Sequence, residues 1–213
     1  MHEDGTVLTE LLISKGGQRF GNFVPAVHFM FTNSKYEIQD LKGLVVAIGP
    51  GSFTGLRVGI SFAKGLCHAL AVPLIGISSL EAMASQISYT DLTITPVLNS
   101  RRGELFTAQF IWNKEHNLIR KMDDISLKFE EFPARFQEST IFIGNNFTNQ
   151  GHLIKTWLGT HVLLASSHCW NLKASAVGAL GLKRFYAGDF DNTQSLDPLY
   201  LRQPDIRPTP SCT

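Results

Sequence analysis

The sequence predicts an α/β protein built on parallel strands, on three observations. Leu44-Val45-Val46-Ala47-Ile48 is an unbroken apolar run, the pattern of a strand buried on both faces. A helical stretch, Thr54 to Leu70, follows it directly. A second strand, Leu74 to Ile77, then leads into a second helix, Ser79 to Gln86. Strand–helix alternation of this kind needs crossover connections and so parallel strands.

Taken in order, Asp4-Gly5 is a turn signal and Val7 to Ile13 reads as a strand. Phe23 to Thr32 has helical apolar spacing despite Pro25. Gly49-Pro50-Gly51 turns the chain after the apolar run. Ser78 or Ser79 suits the cap of the second helix. Beyond it, Thr93 to Leu98 and Leu105 to Trp112 are β-rich and joined by Asn99-Ser100-Arg101-Arg102-Gly103, a predicted hairpin. Ile141 to Gly144 is a further buried strand, followed by a helix to about Leu158, a strand from His161 to Ala165 and a helix from Lys173 to Tyr186. Pro208 to Thr213 reads as a disordered tail.

Composition narrows the function classes. The 213 residues suffice for one large domain or two small ones with a buried core. A net charge of +1 gives no bias towards nucleic acid or membrane, so any RNA connection is indirect or local. Cys67, Cys169 and Cys212 are too few and too unpatterned for a disulfide framework or a zinc cluster; they read as buried or tail thiols. No signal peptide or membrane-length apolar stretch is seen, and the expected location is the cytoplasm. None of the seven histidines forms an i, i+4 pair, so no helical metal-ligand pair exists. No GxSxG elbow or Cys-His signature is present. Asp91, Asp123, Asp124, Glu130 and Glu131 read as turn or surface charges.

The most informative stretch is Gly49-Pro50-Gly51-Ser52-Phe53-Thr54-Gly55-Leu56-Arg57. Its glycines permit tight turning and close approach, and Ser52 and Thr54 suit helix capping. Exposed N–H groups at Gly49, Gly51, Ser52 and Thr54 would make a phosphate or nucleotide site; a capped turn without ligand explains the residues as well. The loop has neither a Walker lysine nor GxGxxG spacing. Along the helix, Gly55, Gly59, Ala63 and Cys67 form a stripe of small side chains at i, i+4, i+8 and i+12, flanked by Leu56 and Ile60. The stripe packs either on the chain's own sheet or on a helix of another subunit.

Gly49 to Ala84 (GPGSFTGLRVGISFAKGLCHALAVPLIGISSLEAMA) resembles the signature of the TsaB (YeaZ) family nearly throughout. Val97 to Phe106 is similar to that family's "aRRgEvy" hairpin, with Asn99-Ser100 where Asp-Ala is usual, and Pro198-Leu199-Tyr200-Leu201-Arg202 is similar to its closing "PxYLR". The resemblance implies an actin/Hsp70-like (ASKHA) fold of two α/β lobes: an N-terminal lobe over 1–90, a C-terminal lobe over 91–203, and a tail over 204–213. It implies a non-catalytic partner subunit in threonylcarbamoyladenosine (t6A) synthesis on tRNA, pairing through N-lobe helices with a catalytic paralogue, TsaD, beside a P-loop ATPase, TsaE. TsaD would hold the metal and the reaction, in which threonylcarbamoyl-adenylate acylates the adenosine beside the anticodon. On this reading the chain has no catalytic or metal residues and no cofactor of its own, ATP or ADP has a place only at the level of the complex, tRNA is engaged indirectly, and homodimer formation is open to the chain when it is alone. Gly55, Gly59, Ala63, Cys67, Leu56 and Ile60 are the expected partner interface.

The family normally opens with a strand of the type "iLaiDTS" and a second strand, whereas this sequence starts at the turn that follows them. The N-lobe is therefore expected to lack its first two strands, through a start site placed too far downstream or through a rebuilt lobe. That expectation puts intrinsic nucleotide binding in question. The competing classes are an ATP-binding phosphotransferase or metallopeptidase of the related fold (also called glycoprotease-like, peptidase M22) and a homodimeric scaffold. The HxxxH motif of the catalytic paralogue is absent.

Overall fold

A computed structural model describes residues 1–13, 23–100, 103–145, 147–159 and 162–202. Arg101, Arg102, His161 and the expected tail lie outside the described residues. Two sheets organise the described residues, one of two strands and one of five.

The smaller sheet joins β1 (Leu44–Gly49) and β2 (Leu74–Ser78) in parallel. The crossover between them is α2 (Phe53–Leu70), and α3 (Ser79–Ala84) follows β2 with Ser78 as its N-cap. α2 covers one face: Ala63 and Cys67 pack with Leu44, Val46, Ile48 and Leu74. α6 (Ala174–Tyr186) covers the other, where Val177 packs with Val45, Ala47, Ile75 and Ile77. The approach is close enough that a Cβ on Gly181 would lie 2.4 Å from Val45 Cγ1. The apolar run at Leu44 is thus what the sequence pattern indicates, a strand between two helical layers.

α1 (Phe23–Thr32) forms as expected. Pro25 falls in its first turn, where a missing N–H costs no hydrogen bond. Phe23 meets Phe62 of α2 edge-on, ring centroids 5.0 Å apart, which seats α1 on α2.

Val7 to Ile13 is a correction: the segment is not a strand. A strand exists only where its backbone has a ladder to join, and among the described residues these pair with no strand. A cavity of about 800 Å³ is lined by Val7, Leu8 and Leu11 together with Leu44 and Val45 of β1. The segment is anchored by Glu10, whose carboxylate accepts a 2.7 Å bond from the Ser175 N–H in the first turn of α6. Lys173, at the cap position itself, supplies no side-chain bond, so a residue distant in sequence caps this helix.

The two edges of the small sheet differ. In a parallel ladder alternate residues direct both backbone groups to the same side. Leu44 N–H donates to Pro73 O, so Leu44 and Val46 serve β2, and Leu74 and Gly76 of β2 face outwards. Three outward groups of β2 have partners. Asp191 N–H donates to Leu74 O (2.9 Å), Gly76 N–H donates to Asp191 Oδ2 (2.8 Å), and Arg184 donates to Gly76 O (2.9 Å). Arg184 also pairs with Asp189 and Asp191, which holds its guanidinium above its ordinary pKa. On β1 the outward residues are Val45 and Ala47, and no described residue bonds to their backbone.

The larger sheet has the order β5-β4-β3-β6-β7. β3 (Thr93–Asn99), β4 (Glu104–Trp112) and β5 (Leu118–Lys128) run antiparallel in sequence. β6 (Thr140–Gly144) and β7 (Val162–Leu164) add in parallel beside β3, linked by α5 (Phe147–Leu158). β5 and the short α4 (Phe132–Arg135) were not foreseen in the sequence. Phe132, Phe136, Phe142 and Ile154 fill one face of this sheet, and Leu80, Met83, Ile94 and Phe110 fill the other. Asp124, read from sequence as a surface charge, is corrected: its side chain is 7% exposed. It accepts from the Ser78 hydroxyl at 2.9 Å and pairs with Arg120, tying β5 to the cap of α3.

Two outcomes follow. Asp191→Ala leaves the Gly76 N–H without its acceptor and removes one of the two carboxylates of Arg184, and lowers stability by about 2 kcal/mol in urea unfolding. The Ser175 N–H bond holds the Glu10 carboxyl below its ordinary pKa of 4.5, so its contribution is full above that value and is lost as pH falls through the lower folded pKa. Glu10→Gln therefore costs about 0.5 kcal/mol at neutral pH, and the difference from wild type disappears in acid.

Candidate functional site

The glycine-rich turn and the helix after it meet the end of the described chain. Gly49 has φ +116° and lies against the C-terminal segment: a Cβ there would sit 2.9 Å from Leu199 O. Leu199 N–H in turn donates to Ile48 O at 2.7 Å. The peptide bond from Gly49 to Pro50 is cis. Ser52 caps α2, its hydroxyl accepting from Gly55 N–H at 3.4 Å. The demand for glycine at position 49 thus comes from the chain's own packing. Gly49 is buried and Gly51 half-buried, while Ser52 and Thr54 remain exposed. Of these four phosphate-site candidates, Gly49 and Ser52 have structural duties that need no ligand.

Beside the turn lies a contact that the sequence reading missed. Phe53 and Tyr200 stack with ring centroids 4.8 Å apart. The Arg57 guanidinium lies 4.0 Å over the Phe53 ring, and its Nε donates to the Tyr200 hydroxyl at 2.9 Å. Two of the segments singled out in the sequence, Gly49–Arg57 and Pro198–Arg202, are thereby one site. The only sequence signal was that both carry an aromatic and a cationic residue. The third segment, Val97 to Phe106, belongs to the five-stranded sheet, and Leu201 packs against the core cluster that holds its Leu98 and Phe106.

The small-residue stripe is placed unevenly. Leu56, Ile60, Ala63 and Cys67 are buried, with Ala63 and Cys67 turned to β1 and β2. Gly59 is half-buried, 3.9 Å from Val46 Cγ2 for an added Cβ, and Gly55 is half-buried at the cap. Burial raises the Cys67 thiol above its ordinary pKa, and its S–H lies 3.5 Å from Pro73 O. An interface on α2 therefore cannot be centred on Ala63 and Cys67, because the sheet already covers them. The outward line of the helix is Thr54, Arg57, Ser61, Gly65 and His68, all exposed. A Cβ on Gly65 would meet nothing within 4 Å.

α1 extends this surface. Apart from His28 and Thr32 it is apolar (FVPAVHFMFT), yet it has no buried residue. Val24 is 58% and Phe29 56% exposed. An apolar helix face left in the open next to a line of small residues is the form of a protein-docking surface. Among the described residues no group of three or more His, Cys, Asp or Glu is placed to hold a metal ion, and no helix is long and apolar enough to cross a membrane.

Comparison with known proteins gives concordant results. Residues 21–165 match the family model described as TsaD, tRNA N6-adenosine threonylcarbamoyltransferase. The tRNA threonylcarbamoyladenosine biosynthesis protein TsaB of Bacillus subtilis (strain 168) is 29% identical over 205 residues, covering 95% of this chain and 87% of the relative. The protein of the same name from Escherichia coli (strain K12) is 37% identical over 123 residues, 53% of this chain and 52% of the relative. Among solved structures, an uncharacterized Pseudomonas aeruginosa protein with similarity to peptidase YeaZ superposes with a TM-score of 0.72 at 18% identity, covering 87% of this chain and 85% of that one. YeaZ from the same organism gives 0.67 at 15% identity, covering 84% and 83%.

Gly49→Ala combines left-handed strain with a clash against Leu199 O. It is expected to cost about 1–3 kcal/mol, measured by urea unfolding, and to loosen the Phe53–Tyr200 stack, read as a change in tyrosine fluorescence.

Proposed function

The chain belongs to the TsaB (YeaZ) branch of the tRNA N6-adenosine threonylcarbamoyltransferase family, and from that premise we propose that it is a non-catalytic partner subunit in t6A synthesis, docked on a TsaD-type catalytic paralogue through the outer face of α1 and α2. The observation that carries the docking surface is the exposed apolar face of α1, with Val24 and Phe29 in the open, beside the uncovered Gly65 of α2. An apolar face of this kind gains most from burial against a second helix, at roughly 25 cal/mol per Å² removed from water.

Of the residues first expected at the interface, Gly55 and Gly59 lie near enough to the surface to contribute, while Leu56, Ile60, Ala63 and Cys67 support it from below. The Arg57–Tyr200–Phe53 clasp fixes the first turn of α2 and with it the angle of the docking face. The chain's role is to complete and orient the catalytic paralogue. A TsaE-type ATPase, ATP or ADP, and tRNA join at the level of the complex, in the cytoplasm. The two-lobed division near residue 90 is part of the same reading, with the docking face on the N-terminal lobe.

Two variants test this. Gly65→Leu adds bulk where no intramolecular neighbour stands and raises helix propensity, so the fold is kept. Phe29→Asp puts a charge on the apolar face. Each is expected to weaken binding to the TsaD-type partner at least about tenfold, or 1.4 kcal/mol, in a titration with purified proteins, with circular dichroism unchanged. Undiminished affinity in both variants would move the interface elsewhere.

A further inference from the structure

We propose, resting on the reading of α1 and α2 as the docking face, that Arg57 is the charge anchor of that face. Held by Phe53 and Tyr200, it takes a carboxylate of the TsaD-type partner end-on through its two terminal nitrogens. Arg57 stands exposed on the outward line of α2. Neither α1 (FVPAVHFMFT) nor α2 (FTGLRVGISFAKGLCHAL) contains an aspartate or a glutamate. Lys64, the other permanent cation of α2, already donates to Gln194 O at 3.4 Å. Among the described residues Arg57 pairs with no carboxylate; its hydrogen bond goes to the Tyr200 hydroxyl. A partner that covers this face takes the guanidinium out of water, and a charge buried without a counter-charge opposes association. The two helices hold no counter-charge, so the partner must bring it.

The side chain is already arranged for one kind of anion. Its guanidinium carbon lies 4.0 Å from the centroid of the Phe53 ring, and Phe53 in turn stacks on Tyr200 with 27° between the ring planes. Its Nε donates to the Tyr200 hydroxyl at 2.9 Å. A ring contact and a hydrogen bond together hold the group, so less rotamer freedom is lost when it binds. With Nε engaged, the pair left to an incoming ligand is Nη1 and Nη2. Two parallel N–H donors match the two oxygens of a carboxylate. The Tyr200 oxygen accepts from Nε, and no described residue accepts its own O–H, which is a third donor beside the fork. An RNA phosphate also fits two N–H donors, but RNA binding draws on several cations following a backbone. This face offers Arg57 and an engaged Lys64 beside the open apolar side chains of Val24 and Phe29. Apolar surface around an arginine is the anatomy of a protein–protein contact.

The test is a titration of the purified TsaD-type paralogue with the full chain and its variants at low and high salt, folding being checked by urea unfolding. Arg57→Gln is expected to weaken binding at least about tenfold and to flatten its salt dependence. Arg57→Lys keeps the charge, loses the fork, and is expected to recover only part of that loss. Tyr200→Phe keeps the stack, frees Nε, and is expected to weaken binding about threefold. The exposed aspartates and glutamates of the paralogue are then replaced by their amides, one at a time. One of them is expected to couple with Arg57→Gln, the double variant binding no more weakly than the weaker single one. The same cycle run with Arg57→Lys keeps the result independent of the stability of the glutamine variant. Additivity at every acidic position overturns the proposal. So does undiminished affinity of Arg57→Gln while Phe29→Asp and Gly65→Leu weaken binding, a result that leaves the docking face standing. Undiminished affinity in all three removes the docking face and the anchor with it. If Arg57→Gln binds the paralogue normally but the complex loses affinity for tRNA, the fork belongs to a phosphate and the carboxylate assignment falls.

Discussion

The parallel pair β1–β2 is the constraint from which the rest of the N-terminal half follows. Two strands alone do not hold together in water, so the pair depends on what covers it. α2 lies on one face and α6 on the other, close enough that position 181 admits only glycine against Val45. Asp191 and Arg184 close the β2 edge with hydrogen bonds to backbone groups that would otherwise stand bare. These three covers leave α2 with its small residues turned inward and its opposite side free. The same packing that makes the sheet stable therefore creates the exposed face to which function is assigned.

The segment from Asp191 to Tyr200 connects these parts. It caps β2 at Asp191, fills the α2 layer at Leu196, meets the Ile48 carbonyl through Leu199, and clasps Arg57 through Tyr200. Each contact is modest singly. Together they set where α2 begins and how it lies on the sheet. Gly49 lets this segment pass at contact distance and so helps to set the position of α2.

Much of this was legible in the sequence, and the reasons are local. Leu44–Ile48 is continuous and apolar, the turn after it is marked by two glycines and a proline, and α2 carries helical spacing from end to end. What was not legible depends on partners far away in the chain. Val7–Ile13 has the composition of a strand, but strand formation requires a neighbouring ladder, which composition does not encode. β5 mixes Arg120, Lys121, Asp123 and Asp124 with its apolar residues, so its alternation is masked, and Asp124 looked solvated until Ser78 was found opposite it. The pairing of Arg57 with Tyr200 spans 143 residues. The small-residue stripe was visible, but which side it served was not, since an amphipathic face does not name what covers it.

The central claim is that this chain acts by supporting a catalytic paralogue. Reconstitution of t6A formation on tRNA from purified TsaD-type and TsaE-type proteins, with ATP and the threonylcarbamoyl-adenylate donor, tests it most directly. The account predicts that modification is at background without this chain and rises in proportion to it until a one-to-one ratio with the TsaD-type subunit is reached. Modification that proceeds at the same rate with and without the chain would contradict it.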